Sequence, residues 1–349
     1  MSVERFALKA DKYLLELQQA LKDGSYQPLA VKRVMIPKAG GQRPLGIPAV
    51  KDRIVQTALK KVIEPIFERE FVECSYGFRP QRGCKDALRA VDDSLKAGQT
   101  WVVDADIKSY FDSISHELLM SEVEQRISDG KVLNLIQAYL KQDIMDGMNR
   151  WTPSQGTPQG AVISPLLANL YLHSLDKLMV QVGYRMVRYA DDFVILCHSK
   201  EQAQHALALV EQWVSEKGLT LHPDKTHLGN CREVGQGFEF LGYRFEAGQR
   251  WVRQKSLNAL KDKIRSKTKR SRGDSMATIV ADLNPMLRGW FNYFKHAHKW
   301  TFSGIDSFIR RRLRSLRYKQ CTGQSAFGIT IHLHHTCQIH TSLTMDFSP

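Results

Sequence analysis

Two adjacent carboxylates at the tip of an apolar hairpin are the residues of this sequence best placed to do chemistry. Tyr189-Ala-Asp-Asp192 lies between Arg185-Met-Val-Arg188 and Phe193-Val-Ile-Leu-Cys197, β-forming runs that predict two strands joined by a tight turn. Asp is a common turn residue, because its side chain can bond its own backbone. Here, however, Met186, Val187, Phe193, Val194, Ile195 and Leu196 mark the hairpin as part of a buried sheet. Adjacent carboxylates in such a place repel each other unless a cation neutralises them. The pattern points to a divalent-metal site that needs a third acid from elsewhere. Trp101-Val-Val-Asp-Ala-Asp-Ile107 supplies one: its alternation puts Val102, Asp104 and Asp106 on one face, so a strand able to pair with the hairpin ends in an acid.

Other polar residues sit on backbone of special shape. Val31-Lys-Arg-Val-Met-Ile-Pro-Lys38 alternates like a strand, turns at Gly40-Gly41 and returns as Arg43-Pro-Leu-Gly-Ile-Pro48, which gathers Lys32, Arg33, Lys38 and Arg43 about a hairpin tip. Those cations suit either a solvated loop or a grip on a triphosphate. Gly156-Thr-Pro-Gln-Gly160 is a loop in which Gln159 stands between small residues, so that backbone and amide can both approach a ligand. Ser75-Tyr-Gly-Phe-Arg-Pro-Gln-Arg-Gly83 is a second loop, containing Arg79 and Arg82. Lys225 projects from a turn between strands expected over 219–228, and Phe238-Glu-Phe-Leu-Gly-Tyr-Arg-Phe245 reads as an aromatic hairpin.

Periodicity supplies the elements that must hold these residues. Helices are expected over 4–22, over 52–71 with an interruption near Pro65, from Ala87 to Leu95, over 118–140, from Ser164-Pro165 through Leu178, and from a Ser199/Gln202 capping box to Gly218. With the strands, the order is α-β-β-α-α-β-α-α-β-β-α-β-β, an α+β domain around a small antiparallel sheet. Residues 255–320 then predict three basic amphipathic helices, separated near 271–275 and 301–304. From Cys321 on, Thr, His and Ser dominate without clear period, and His332, His334, His335 and His340 read as part of a loose tail rather than a metal cluster.

The net charge of +14 is carried by one segment. Residues 251–320 hold 18 Lys and Arg against 4 Asp and Glu, and the remaining chain is neutral. A basic segment on a neutral body fits either a solvated helical face or a polyanion partner, most simply nucleic acid. The length of 349 residues suits two domains or a domain with an appendage, and early charges at Glu4, Arg5, Lys9, Asp11 and Lys12 exclude a secretory apolar core. No apolar run approaches membrane-spanning length, and six cysteines without a C-x-x-C pair favour reduced thiols in a cytoplasmic protein.

The motifs together resemble those of reverse transcriptases encoded by bacterial group II introns, over nearly all of residues 13–318. Ile36-Pro-Lys38 with Arg43-Pro-Leu-Gly-Ile-Pro48, Tyr76-Gly-Phe-Arg-Pro80, Asp106 to Asp112, Gly156 to Gly160, Ser164-Pro-Leu-Leu-Ala-Asn169, Tyr189-Ala-Asp-Asp192 and Phe240-Leu-Gly242 stand in the family's order and spacing. Leu287-Arg-Gly-Trp-Phe-Asn-Tyr-Phe294 is similar to its maturase, or thumb, domain.

The resemblance implies a right-hand polymerase: fingers with the start of the palm over 1–100, the catalytic palm over 101–246, a basic helical thumb over 251–320 and a tail of unassigned structure over 321–349. It implies two Mg²⁺ ions, replaceable by Mn²⁺, held by Asp106 and Asp191 with support from Asp192. Lys38, Arg43, Gln159 and Lys225 would attend the incoming nucleotide, Lys225 as a proton donor near its phosphates, and Phe111 would exclude a 2′-hydroxyl. Phe240, Leu241, Gly242 and Arg79 would support primer and template. The implied partners are an RNA template with a DNA primer, deoxynucleoside triphosphates and the parent intron RNA, whose splicing the thumb would promote; no membrane is implied. Two alternatives of other kinds are a reverse transcriptase recruited to phage defence or CRISPR adaptation, and a non-enzymatic RNA-binding maturase. The family's usual segment ahead of residue 4 and its H-N-H endonuclease find no counterpart, so a shortened gene is also expected.

Overall fold

The candidate residues sit on small sheets and on the loops and short helical turns that join them. The structure is a computed structural model that describes residues 2–38 and 41–324, the side chains of Lys38 and of residues 319–324 excepted. The residues from 325 on, with His332, His334, His335 and His340, lie outside the described residues. The chain divides into two compact units, Met1–Gln249 and Arg250–Pro349.

In the first unit the described elements run α1 (Val3–Ala7), α2 (Ala10–Asp23), β1 (Val31–Lys38), β2 (Gly41–Ile47), α3 (Val50–Glu68), α4 (Cys84–Lys96), β3 (Trp101–Asp106), α5 (Tyr110–Ser113), α6 (His116–Glu124) and α7 (Gly130–Leu140). They continue with β4 (Ile144–Asp146), β5 (Asn149–Trp151), α8 (Ser164–Gln181), β6 (Arg185–Tyr189), β7 (Asp192–Cys197), α9 (Lys200–Glu216), β8 (His227–Asn230), β9 (Phe238–Phe240) and β10 (Tyr243–Glu246). This is the expected α+β arrangement. The second unit holds α10 (Gln254–Lys267), α11 (Met276–Phe294) and α12 (Trp300–Gln324).

The central sheet has the order β6-β7-β3-β8, with β3 antiparallel to both neighbours. Its register sets two unlike faces. Val103, Ala105, Phe193 and Ile195 point into a core completed by Leu167, Leu170, Leu175 and Trp213. Asp104, Asp106 and Asp192 alternate with them on the other face, against which β9 lies. The second sheet has the order β2-β1-β4-β5. The β1–β2 hairpin pairs Lys38 with Gly41, β1 runs parallel to β4, and β4 returns as β5. Strands β4 and β5, three residues each, are too short to show a period in sequence.

Several expected boundaries move. The helix over 4–22 is broken at Leu8-Lys9, which lets Phe6 fold onto Tyr13 with ring centroids 5.3 Å apart. Pro65 does not interrupt α3, because Ile63 and Phe67 on either side are locked in the core and that packing offsets the one lost backbone bond. The helix over 118–140 is two helices, since Asp129 caps the backbone N–H groups of Lys131 and Val132. Ser199 caps α9 through Gln202 N–H, but Gln202 Oε1 accepts from His198 rather than from Ser199. In the second unit the last helix starts at Trp300, so residues 301–304 lie inside it; Leu260, Ile264, Leu283, Leu287, Ile305 and Ile309 form that unit's own core.

Arg79 is a correction to the expected primer or template contact. Its side chain is 3% exposed. The guanidinium forks onto Glu68 and donates to the carbonyls of Phe71, Val72 and Ser75, leaving nothing to offer a nucleic acid. It shapes the loop ahead of α4 instead. Arg79→Ala should therefore lower stability by about 3 kcal/mol in urea unfolding, the cost of stripping one partner from a buried ion pair; a loss within about 0.5 kcal/mol would mark Arg79 as an ordinary surface residue.

Candidate active site

Strand pairing brings the acids together. Asp106 at the end of β3 is directly opposite Asp192 at the start of β7, and Tyr189 pairs with Asp192 across the two-residue turn Ala190-Asp191. Asp191 thus sits at the hairpin tip beside the Asp106–Asp192 pair. Burial raises the pKa of its carboxyl and Asp106 adds to the rise, while Arg43 opposes it. Asp104, one pleat behind Asp106, is pushed up to about 7 by burial and then by Asp192, against a hydrogen bond from the Glu239 backbone. Like charges this close favour protonation or a bound cation.

The end of β3 is held by the segment after α9. Lys108 N–H donates to Thr220 O at 2.8 Å and His222 N–H to Asp106 O at 2.7 Å. The same turn puts Lys225 Nζ on Asp106 Oδ2. In this arrangement the Asp106 carboxylate is turned to an ammonium, and among the described residues no three His, Cys, Asp or Glu side chains converge as a ready metal cage. The donor chemistry still fits a hard divalent ion, since Asp106, Asp191 and Asp192 offer carboxylate oxygens only.

The nucleotide candidates fall beside these acids. Arg43 Nε donates to Gln159 Oε1 at 2.7 Å, and Gly46 N–H donates to Gln159 O at 2.7 Å, so β2 and the Gly156–Gly160 loop are one rigid pair. That loop is in turn bonded to the segment after β3: Thr157 N–H donates to Phe111 O and Gly156 N–H to Ile114 O, both at 2.7 Å. Phe111 and Asp191 line a common small cleft with Phe78, Ala168 and Ala190. Arg43 and Phe111 therefore stand close to Asp191 and Gln159 is held against Arg43, whereas the side chain of Lys38 lies outside the described residues.

At the aromatic hairpin, Phe240 is a second correction. It is buried at 1% exposure, beside a stacked Phe238–Phe245 pair, so its ring packs inside the hairpin rather than presenting a surface. Leu241 and Gly242, both at positive φ, form the turn itself and are the only part of this trio open to contact.

Three features carry roles that their residue types did not announce. Asp104 ties β9 to the acidic face. Arg188 and Asp176 form an ion pair with both side chains fully buried. Gly77 lies flat against the acidic turn: a Cβ there would stand 2.3 Å from Ala190 N and 2.9 Å from Tyr189 C. Tyr76 N–H donates to Arg188 O, and Arg188 N–H to Cys74 O, each at 2.8 Å, which fixes that approach. A backbone this close tolerates no side chain, and Gly77→Ala should cost about 2 kcal/mol in thermal unfolding and displace the Ala190-Asp191 turn in a crystal structure, as overpacking does; a variant as stable as the parent with its turn in place would refute the contact.

Comparison with known proteins agrees with this geometry. Residues 36–245 match the family described as "Reverse transcriptase (RNA-dependent DNA polymerase)", and residues 257–329 match "Group II intron, maturase-specific domain". Protein YkfC of Escherichia coli (strain K12) is 38% identical over 269 residues, covering 65% of this chain and 70% of that protein. Group II intron-encoded protein LtrA of Lactococcus lactis subsp. cremoris is 39% identical over 181 residues, covering 51% of this chain but 30% of LtrA. Among solved structures, telomerase from Candida albicans in complex with a fragment of telomeric RNA superposes with a TM-score of 0.51 at 13% identity, over 83% of this chain and 59% of that one, a likeness of fold alone. No helix among the described residues is long and apolar enough to cross a membrane. The chain belongs to the reverse transcriptase family, in the group that carries a group II intron maturase domain.

Proposed function

We propose that this chain is an RNA-directed DNA polymerase of group II intron type, extending a DNA primer on an RNA template and binding its parent intron RNA. The observation that supports this most is the strand register that sets Asp106 opposite Asp192 beside the Asp191 turn, within a chain whose reverse transcriptase match spans that whole region. Residues 1–246 would supply fingers and palm, and the basic helices of the second unit the thumb.

Asp106 and Asp191, supported by Asp192, would hold two divalent ions, Mg²⁺ or Mn²⁺, which when bound activate the primer 3′-hydroxyl and stabilise the leaving pyrophosphate. Arg43, already in electrostatic reach of Asp191, would bind the triphosphate together with Lys38. Gln159 orients the Arg43 guanidinium and would meet the nucleotide or template backbone. Phe111, anchored by the bond from Thr157, would close the space beneath the sugar against a 2′-hydroxyl. Lys225 would exchange Asp106 for the nucleotide phosphates and give up a proton there. Leu241 and Gly242 would bear on the primer end.

The basic second unit would bind the duplex and the intron RNA through phosphates, by charge more than by sequence. Arg265 and Arg311 flank the Phe308 ring at 5.3 and 5.7 Å, a surface suited to polyanions. A maturase domain following the polymerase region favours the intron role over recruitment to phage defence.

Two outcomes test the reading. Asp191→Asn should reduce extension of a DNA primer on RNA with Mg²⁺ by well over ~100-fold, more than the loss expected for an outer partner of a metal ligand, while intron RNA binding and splicing survive; extension at the parent rate would end the polymerase assignment. Affinity for RNA–DNA duplex should fall by roughly 10³ or more between about 50 and about 200 mM salt, as expected for many phosphate contacts. A change of only a few fold would exclude such a grip.

A further inference from the structure

The Ala190-Asp191 turn is held from below by a side chain outside the acidic trio. Arg188 Nη1 donates to the carbonyl of Ala190 at 2.9 Å and to Asn169 Oδ1 at 2.9 Å. The opposite side of the same guanidinium forks onto Asp176: Nε reaches Oδ1 at 2.7 Å and Nη2 reaches Oδ2. Asn169 Nδ2 then donates to Gly77 O at 2.8 Å. Arg188 and Asp176 are both completely buried, a costly placement for charges unless every group is paired.

The bonded carbonyl is a special one. In the two-residue loop the Ala190–Asp191 peptide is the central peptide of the turn, and its flip interconverts the two hairpin turn types. Ala190 has φ +59° and Asp191 is not among the positive-φ residues, which is the II′ pattern with Ala where Gly is favoured. A non-glycine residue held there stores strain that the surroundings must over-determine. Turning the peptide over would swing the Asp191 Cα–Cβ bond and move the carboxylate away from Asp106.

We propose that Arg188, locked by Asp176 and steadied by Asn169, is a positioning residue that fixes the flip state of the Ala190–Asp191 peptide and thereby aims the Asp191 carboxylate at the metal site. Lys cannot replace it, because a single ammonium cannot fork onto Asp176 while also holding Ala190 O. The inference builds on the metal-site reading above, and its structural readout stands without it.

The test uses Arg188→Lys and the milder Asn169→Ala, each alone and combined with Ala190→Gly. Crystal structures of the metal-free single variants should show the Ala190 carbonyl turned over or in two positions. Mn²⁺ titration of the complex with template, primer and nucleotide, followed by electron paramagnetic resonance and counting the sites that Asp191→Ala abolishes, should show affinity weakened by ~10–100-fold in Arg188→Lys and by ~5-fold in Asn169→Ala, which loosens the guanidinium but leaves its bond to Ala190 O. Ala190→Gly removes the strain and should restore most of that loss, as well as kcat in primer extension with little change in KM for nucleotide. If Arg188→Lys does not fold, Asn169→Ala decides by the same readouts. A turn that stays in place, or a loss that Ala190→Gly does not restore, overturns the bracing role. Absence of Mn²⁺ at these acids in the parent complex with template, primer and nucleotide would refute the metal-site reading instead, and the turn geometry would still judge the brace.

Discussion

Repulsion among carboxylates packed at one end of a sheet is the constraint around which the first unit is arranged. Asp106 and Asp192 face each other across β3 and β7, a like-charge pair that by itself disfavours the pairing. Asp191 stands at the adjoining turn and Asp104 one pleat behind. Three contacts offset this accumulation of charge: Lys225 on Asp106, the field of Arg43 on Asp191, and the Glu239 backbone on Asp104. The apolar face of the same strands, with Val103, Ala105, Phe193 and Ile195 in the core, supplies the burial that keeps the strands paired despite the repulsion.

Holding charge against its own repulsion requires backbone in close contact, and that explains why the loops are built as they are. Gly77 lies on the acidic turn, and Gly156 lies on Asp112, where a Cβ would come within 2.9 Å of the carbonyl. Each contact joins backbone to backbone without intervening side chains, Gly77 against the Tyr189–Ala190 turn and Gly156 against α5. A nucleotide meeting this surface would find Arg43 already oriented by Gln159, which lowers the ordering cost of binding.

Much of this was legible in the sequence because the decisive signals are local. The alternation of Trp101 to Ile107 and the apolar flanks of Tyr189 to Asp192 gave the right faces, and the turn between β6 and β7 fell at Ala190-Asp191 as expected, whereas the hairpin expected over 219–228 keeps only its second strand, β8, which pairs with β3. What escaped was non-local. Arg79 looks like any loop arginine until Glu68 and three carbonyls close around it, and Phe240 cannot be told from a surface aromatic until its exposure is known. The Arg188–Asp176 pair joins residues on a strand and a helix whose sequence spacing has no period to betray it. Strands β4 and β5 are fixed by pairing with β1 rather than by their own residues, and Asp129 divides a helix that apolar periodicity alone would run together.

The central claim is that Asp106 and Asp191, though one now faces Lys225, close on shared divalent metal once template, primer and nucleotide are bound. Anomalous diffraction from a crystal of that complex with Mn²⁺ tests it most directly. The account predicts anomalous peaks between the Asp106 and Asp191 carboxylates, with Lys225 displaced from Asp106; a fully bound complex with no peak at these acids, and Lys225 still on Asp106, would contradict it.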